Sequence, residues 1–184
     1  RVKTLHPKIH AGILNKREKK SHLKDLKNYN FENIDLVIVN FYPFENTLNN
    51  TKNHNKIIEN IDVGGPTMVR SAAKNYNDVA VITSSDQYKE LIQELKKYQG
   101  STSLHFREKL SRIAFSETAY YDSVISNYLN NKTNNIFPLK KVFHGNLIEQ
   151  LRYGENPHQI SAIYSKRSNT NLKQIQGKQL SYNN

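Results

Sequence analysis

The sequence predicts an α/β fold built on an open, mainly parallel sheet with flanking helices, and three observations carry that prediction. Two short apolar runs rich in β-branched residues, Asp35-Leu36-Val37-Ile38-Val39-Asn40-Phe41 and Val79-Ala80-Val81-Ile82-Thr83, have the near-continuous hydrophobicity of strands covered on both faces. Between them, Gly64-Gly65-Pro66 opens a segment that continues as helix to Asn75, with the proline suited to the first helical position. After the second run, Ser84-Ser85-Asp86 starts a helix in which Tyr88, Leu91, Ile92, Leu95 and Tyr98 recur at helical spacing until Gly100 stops it. Strand and helix alternating in this way make a parallel sheet, whose ligands bind beyond the carboxyl ends of the strands.

The remaining elements follow in order. Residues 103 to 130 form one long helix whose apolar stripe is Leu110, Ile113, Ala114, Tyr121, Val124, Ile125 and Tyr128. The polar run Asn130-Asn131-Lys132-Thr133-Asn134-Asn135 breaks the periodicity and marks a junction. We therefore expect a first domain over residues 1 to 130, a linker over 131 to 150, and the beginning of a second domain over 151 to 184. That last stretch has extended pieces and turn-like sites at Gly154-Glu155-Asn156-Pro157 and Gly177-Lys178 but no core of its own. With 184 residues, an opening Arg1 and no closing element after Ser181-Tyr182-Asn183-Asn184, the chain is expected to be an internal fragment.

Composition excludes several classes of function. No run approaches the roughly 18 apolar residues of a membrane span, so a soluble protein without a membrane partner is expected, and the lack of cysteine is compatible with the expected cytoplasmic location. The absence of cysteine removes disulfides, thiolate nucleophiles and cysteine metal sites from this stretch. A net charge of +11 raises nucleic acid as a partner, but the densest run, Lys16-Arg17-Glu18-Lys19-Lys20, contains an acid and no interleaved aromatic. The charge reads as solvated surface, with a minority serving an anionic small molecule.

Three segments hold polar residues where such a fold places its ligand. The first, Arg1-Val2-Lys3-Thr4-Leu5-His6-Pro7-Lys8-Ile9-His10, is either an ordinary basic loop or a phosphate site using lysine charge and the Thr4 hydroxyl. His6 and His10 lack a local carboxylate and are separated by Pro7, which argues against a metal pair. The second, Asn40-Phe41-Tyr42-Pro43-Phe44, follows the first strand; Tyr42 either packs its ring in the core, which position alone favours, or donates to a developing oxyanion. The third runs from Asp62 through Gly64, Gly65 and Thr67 to Lys74 and Asn75. Its glycines present backbone N–H groups at a helix start, Thr67, Arg70 and Lys74 share one helix face, and Asp62 with Lys74 is either an acid/base pair or a structural ion pair.

At these segments the chain resembles the family of bifunctional phosphoribosylaminoimidazolecarboxamide formyltransferase and IMP cyclohydrolase enzymes. Residues 1 to 7 with His10-Ala11-Gly12-Ile13-Leu14 resemble its first cyclohydrolase motif, Asn40 to Phe44 its second, and Ile61 to Gly65 through Ala72-Ala73-Lys74-Asn75 its third. Leu151-Arg152-Tyr153-Gly154-Glu155-Asn156-Pro157-His158-Gln159 is similar to the motif that opens the formyltransferase domain. The resemblance implies a methylglyoxal-synthase-like first domain, followed by the start of a cytidine-deaminase-like α/β formyltransferase domain.

It also implies a catalytic set of Lys3, Tyr42, Asp62 and Lys74. Arg1, Thr4, Asn40, Gly64, Gly65 and Thr67 would shape a nucleotide pocket, and Arg152, Tyr153 and His158 would bind the aminoimidazole substrate of the second activity. The implied partners are small purine nucleotide intermediates and a second copy of the chain in a homodimer. Ring closure by this family needs no cofactor or metal, whereas formyl transfer uses 10-formyltetrahydrofolate as co-substrate together with a lysine-histidine pair. No Lys-His dipeptide occurs here, and the family's amino-terminal contribution to the phosphate site does not precede Arg1, so weak or absent activity is expected of the stretch alone. A nucleotide-sensing module of the same fold would not require Tyr42, Asp62 and Lys74 together, and methylglyoxal synthase would not be followed by the segment from Arg152 to Gln159.

Overall fold

The structure is a computed structural model that describes residues 4 to 166 and 174 to 183. It divides into two compact units, Arg1–Ile125 and Ser126–Asn184. The elements in chain order are α1 (Pro7–Leu14), α2 (Lys20–Asn28), β1 (Leu36–Ile38), α3 (Phe44–Asn50), α4 (His54–Glu59), α5 (Gly64–Lys74), β2 (Ala80–Ile82), a single 3-10 turn (Ser85–Gln87), α6 (Tyr88–Lys97), α7 (Leu104–Lys132), β3 (Asn146–Gln150) and β4 (Ala162–Ser165).

In the first unit β1 and β2 pair in parallel, with Leu36 opposite Ala80 and Ile38 opposite Ile82. This agrees with the expected α/β class, but both strands are shorter than their apolar runs. The last ladder bond, from the Val39 N–H to the Ile82 carbonyl (3.0 Å), ends the pairing because Thr83 and Ser84 donate their N–H groups to the Gln87 side chain instead. β2 is buried throughout, whereas Ile38 of β1 is 48% exposed, so β1 is not covered on both faces as expected.

Helix α5 crosses between the strands and buries Val69, Ala72 and Ala73 completely against Ile13, Val37, Val79–Ile82, Leu91, Phe106, Leu110 and Ala114. Each such valine or leucine contributes about 1.5–3 kcal/mol relative to exposure. The helix starts at Gly64, so Pro66 occupies its third position rather than the first; the missing N–H is harmless there because the first four have no intrahelical acceptor. At the far end the buried Asn75 amide donates to the carbonyls of Ile13 (2.9 Å) and Asn15 (3.0 Å), closing the carboxyl end of α1.

Ser84 and Gln87 form a capping box ahead of α6, as the serine-rich start predicts. The helix ends when the Gly100 N–H reaches the Leu95 carbonyl (2.8 Å), with Gln99 (φ 53°) and Gly100 (φ 91°) both left-handed. Helix α7 covers the predicted range and buries Phe106, Leu110, Ala114, Tyr121 and Val124.

Between α6 and α7, the Glu94 carboxylate accepts the Ser103 N–H (3.0 Å) and the Ser103 hydroxyl. The hydroxyl bond, foremost, holds Glu94 below its ordinary value of 4.5 in spite of desolvation. A carboxylate whose folded value is depressed stabilises the fold above the ordinary range, and that stabilisation is lost as pH falls through the folded value. Ser103→Ala is therefore expected to lower the melting temperature at pH 7 and to lower it less at pH 3, as read by paired thermal melts.

In the second unit β3 and β4 form an antiparallel hairpin, Asn146 opposite Ser165, with an irregularity between Leu147 and Glu149. Strand β3 lies inside the stretch expected to be a linker, because its ladder to β4 draws residues 146 to 150 into a paired element. The compact unit begins at Ser126 rather than at residue 151.

Candidate active site

Beyond the carboxyl end of β1 lies a cleft of about 590 Å³, within the range of pockets that enclose small ligands. Val39, Asn40 and Tyr42 form one side, Thr4 and Leu5 another, and Asp62, Gly64, Gly65 and Met68 line it from the start of α5. Tyr42 is 42% exposed, so its ring is not core; the chain turns at Pro43 and buries Phe44 in its place.

Asp62 is fixed at two points. Its Oδ1 accepts the Gly65 N–H (2.9 Å), so the carboxylate caps the first turn of α5, where the helix end favours negative charge. Its own N–H donates to the Tyr121 hydroxyl on α7 (2.8 Å). Burial, above all, pushes Tyr121 upward against the opposing effect of that hydrogen bond, so the phenol is neutral at pH 7. A Cβ at Gly64 would meet Thr4 Oγ1 at 2.8 Å, which shows how closely the first segment approaches the helix start.

The structure thus gathers Thr4, Asn40, Tyr42, Asp62, Gly64 and Gly65 into one cleft. Thr67 does not line it; its hydroxyl donates to the Val63 carbonyl (2.6 Å). Arg70 lies over the Phe115 ring (5.7 Å), and exposed Lys74 ends α5, roughly 15 Å along the axis from Gly64. The shared helix face is real, but the length of α5 carries Lys74 away from the cleft wall. Arg1 and Lys3 lie outside the described residues.

Of the first segment, Thr4 to His6 precede a helix. Pro7 takes the first position of α1 rather than breaking a helix, and His6 Nδ1 accepts the Lys8 N–H (3.1 Å) as the cap. His10 Nδ1 lies 3.4 Å from Ser71 Oγ. Among the described residues, no three or more histidines and carboxylates cluster as a metal site. A second cavity of about 330 Å³ borders the amino ends of the strands. There Arg17 pairs with Asp35 (2.8 Å), and Arg107 donates to the carbonyls of Tyr76, Asn77 and Thr102, so its cations hold the framework together.

In the second unit, the Arg152 guanidinium lies over the Tyr153 ring (5.2 Å), and the Arg152 N–H donates to Leu180 (2.9 Å). The Gln159 N–H closes a turn on Asn156 (3.0 Å), which leaves His158 exposed. Sequence reasoning missed Met68 in the cleft wall and Tyr121 behind it. Tyr121 is visible in the apolar stripe of α7, but periodicity reports a ring and not the partner of its hydroxyl.

Two family models match the chain, and they meet near residue 70 and not at the boundary between the compact units. An MGS-like domain model matches residues 1 to 67, and a model described as AICARFT/IMPCHase bienzyme matches residues 72 to 184. The bifunctional purine biosynthesis protein PurH of Bradyrhizobium diazoefficiens is 47% identical over 188 aligned residues, taking in all of this chain and 36% of that protein. PurH of Prochlorococcus marinus strain MIT 9515 is 48% identical over the whole chain and 35% of its own length, and PurH of Clostridioides difficile strain 630 is 47% identical over the whole chain and 36% of its own. The chain therefore spans about 36% of the length of these relatives. The crystal structure of ForH superposes with a TM-score of 0.59 at 32% identity, covering 68% of this chain and 64% of that one. The α/β cleft and these matches together show that the chain belongs to the AICARFT/IMPCHase bienzyme family, with an MGS-like domain at its amino-terminal side.

Proposed function

We propose that the cleft of the first unit is the cyclohydrolase site of an enzyme that completes purine synthesis. Formyl would pass from 10-formyltetrahydrofolate to an aminoimidazole carboxamide ribonucleotide, and the formylated product would close to IMP with loss of water. The observation that carries this reading is the convergence of Asn40, Tyr42, Asp62, Gly64 and Gly65, from two separate motifs, on one cleft with Thr4. Ring closure needs no external electron carrier. The carboxamide nitrogen attacks the formyl carbon of the same molecule, it and the formamide nitrogen each give up one proton, and the formyl oxygen takes up two protons and departs as water as the ring C=N bond forms.

In such a reaction orientation, proton transfer and oxyanion stabilisation set the rate. Asp62 would take a proton from the attacking carboxamide and Tyr42 would donate to the formyl oxygen, with the start of α5 favouring negative charge there. Lys74 and Lys3 belong to the set through their motifs, with Lys3 assisting the departing oxygen or holding the phosphate together with Arg1. Thr67 belongs to the nucleotide-binding set through its motif alone, since its hydroxyl is turned to the Val63 carbonyl. The second unit would begin the formyltransferase region, with Arg152, Tyr153 and His158 facing the aminoimidazole, in a homodimeric cytoplasmic enzyme. No helix among the described residues is long and apolar enough to cross a membrane.

Asp62→Asn in the full-length enzyme is expected to lower the ring-closure kcat by roughly a hundredfold or more, the scale of lost acid/base or oxyanion assistance. Lys74→Ala is expected to fall on the same scale. Wild-type turnover in Lys74→Ala would remove that lysine from the set, and wild-type turnover in Asp62→Asn would overturn the cyclohydrolase reading of the cleft.

A further inference from the structure

Tyr121 joins two segments that are distant in sequence and adjacent at the cleft. It is 7% exposed, its hydroxyl accepts the Asp62 N–H at 2.8 Å, and its ring meets Phe41 at 5.2 Å and Phe44 edge-on at 6.1 Å. Phe41 and Phe44 flank Tyr42, so one side chain of α7 pins the backbone on both sides of the cleft. The polar end holds the segment that carries the carboxylate, and the apolar face holds the segment that carries the exposed phenol.

From this geometry we infer that Tyr121 is a positioning residue for ring closure, clamping Asp62 and Tyr42 at a fixed separation without touching the substrate. The inference rests on the cyclohydrolase reading of the cleft. Aromatic pairing sets the height of the 41–44 segment, and the hydrogen bond sets where Asp62 enters the first turn of α5. Reactions governed by orientation are steeply sensitive to such settings, since a misplacement of about 1 Å can cost on the order of a hundredfold. A phenol used only as core filling would need its ring alone.

The test is a double-mutant cycle on the full-length enzyme, with ring closure followed spectroscopically on the formylated ribonucleotide and formyl transfer measured in the same preparations. Tyr121→Phe keeps the ring and removes the acceptor. It is expected to lower the ring-closure kcat about tenfold, with KM and formyl transfer within about twofold of wild type. On the Asp62→Asn background the same change is expected to cost less than about twofold, because its effect runs through a group already disabled. A tenfold loss on both backgrounds, a proportional loss of formyl transfer, or no loss in kcat would each overturn the inference. Wild-type turnover in Asp62→Asn itself would overturn the underlying reading of the cleft, which keeps the two failures distinct.

Discussion

Gly65→Ala is expected to reduce ring closure by a hundredfold or more while leaving the melting temperature nearly unchanged. Gly65 is buried in the first turn of α5, and a Cβ there would collide with Asp62 Oδ2 while lying 3.0 Å from Asp62 Cγ. The carboxylate is the mobile party, so it must swing away and release the Gly65 N–H that it accepts at 2.9 Å. Loss of that cap costs about 1 kcal/mol, and alanine gains about 1 kcal/mol over glycine inside a helix, so the two effects on stability nearly cancel. The effect on chemistry does not cancel, because the displaced group is the proposed proton acceptor. Thermal melting alongside a ring-closure assay separates the two quantities. Wild-type turnover in Gly65→Ala would mean that the position of the Asp62 carboxylate is immaterial to the reaction.

The second large effect is on stability. Asn75→Ala is expected to destabilise the first unit by about 2–6 kcal/mol, because it leaves two carbonyls without their donor and each such buried loss costs about 1–3 kcal/mol. Asn75 is 5% exposed, and its amide serves Ile13 and Asn15, whose position at the end of α1 leaves them no intrahelical partner. Water cannot readily replace an amide at a position so little exposed. Asn75→Asp is expected to be at least as damaging, since it keeps the shape but turns an acceptor toward two carbonyls. Denaturant titration of both variants reads the change directly, and a loss below about 0.5 kcal/mol would show that α1 is closed by other means.

These cases mark what was legible in the sequence. The strands, α5, α6 and α7 were readable because each carries enough apolar residues at one period to reveal its buried face. α2 buries only Leu26, and α3 and α4 have seven and six residues, too few for a stripe to emerge. Strand lengths were over-read because hydrophobicity extends to Phe41, whereas the ladder stops where Gln87 takes the next two N–H groups. At the site, the helix start points to Asp62, Gly64 and Gly65, whereas position alone favours core for Tyr42, and the site roles of Asn40 and Tyr42 rest on the family resemblance. Helical periodicity put Thr67 and Lys74 on one face but says nothing about how far along the axis the cleft reaches. The Tyr121 hydroxyl meets its partner 59 positions away, a pairing that no local pattern encodes.

Asp62 caps a helix and, on the proposed mechanism, also carries a proton. Asparagine and serine cap helices about as well as aspartate. Laboratory evolution that selects on yield, solubility or heat tolerance would therefore let Asp62 drift to either residue unnoticed. Libraries built from this chain would accumulate well-behaved members that no longer close the ring, and only a selection that depends on the product would purge them.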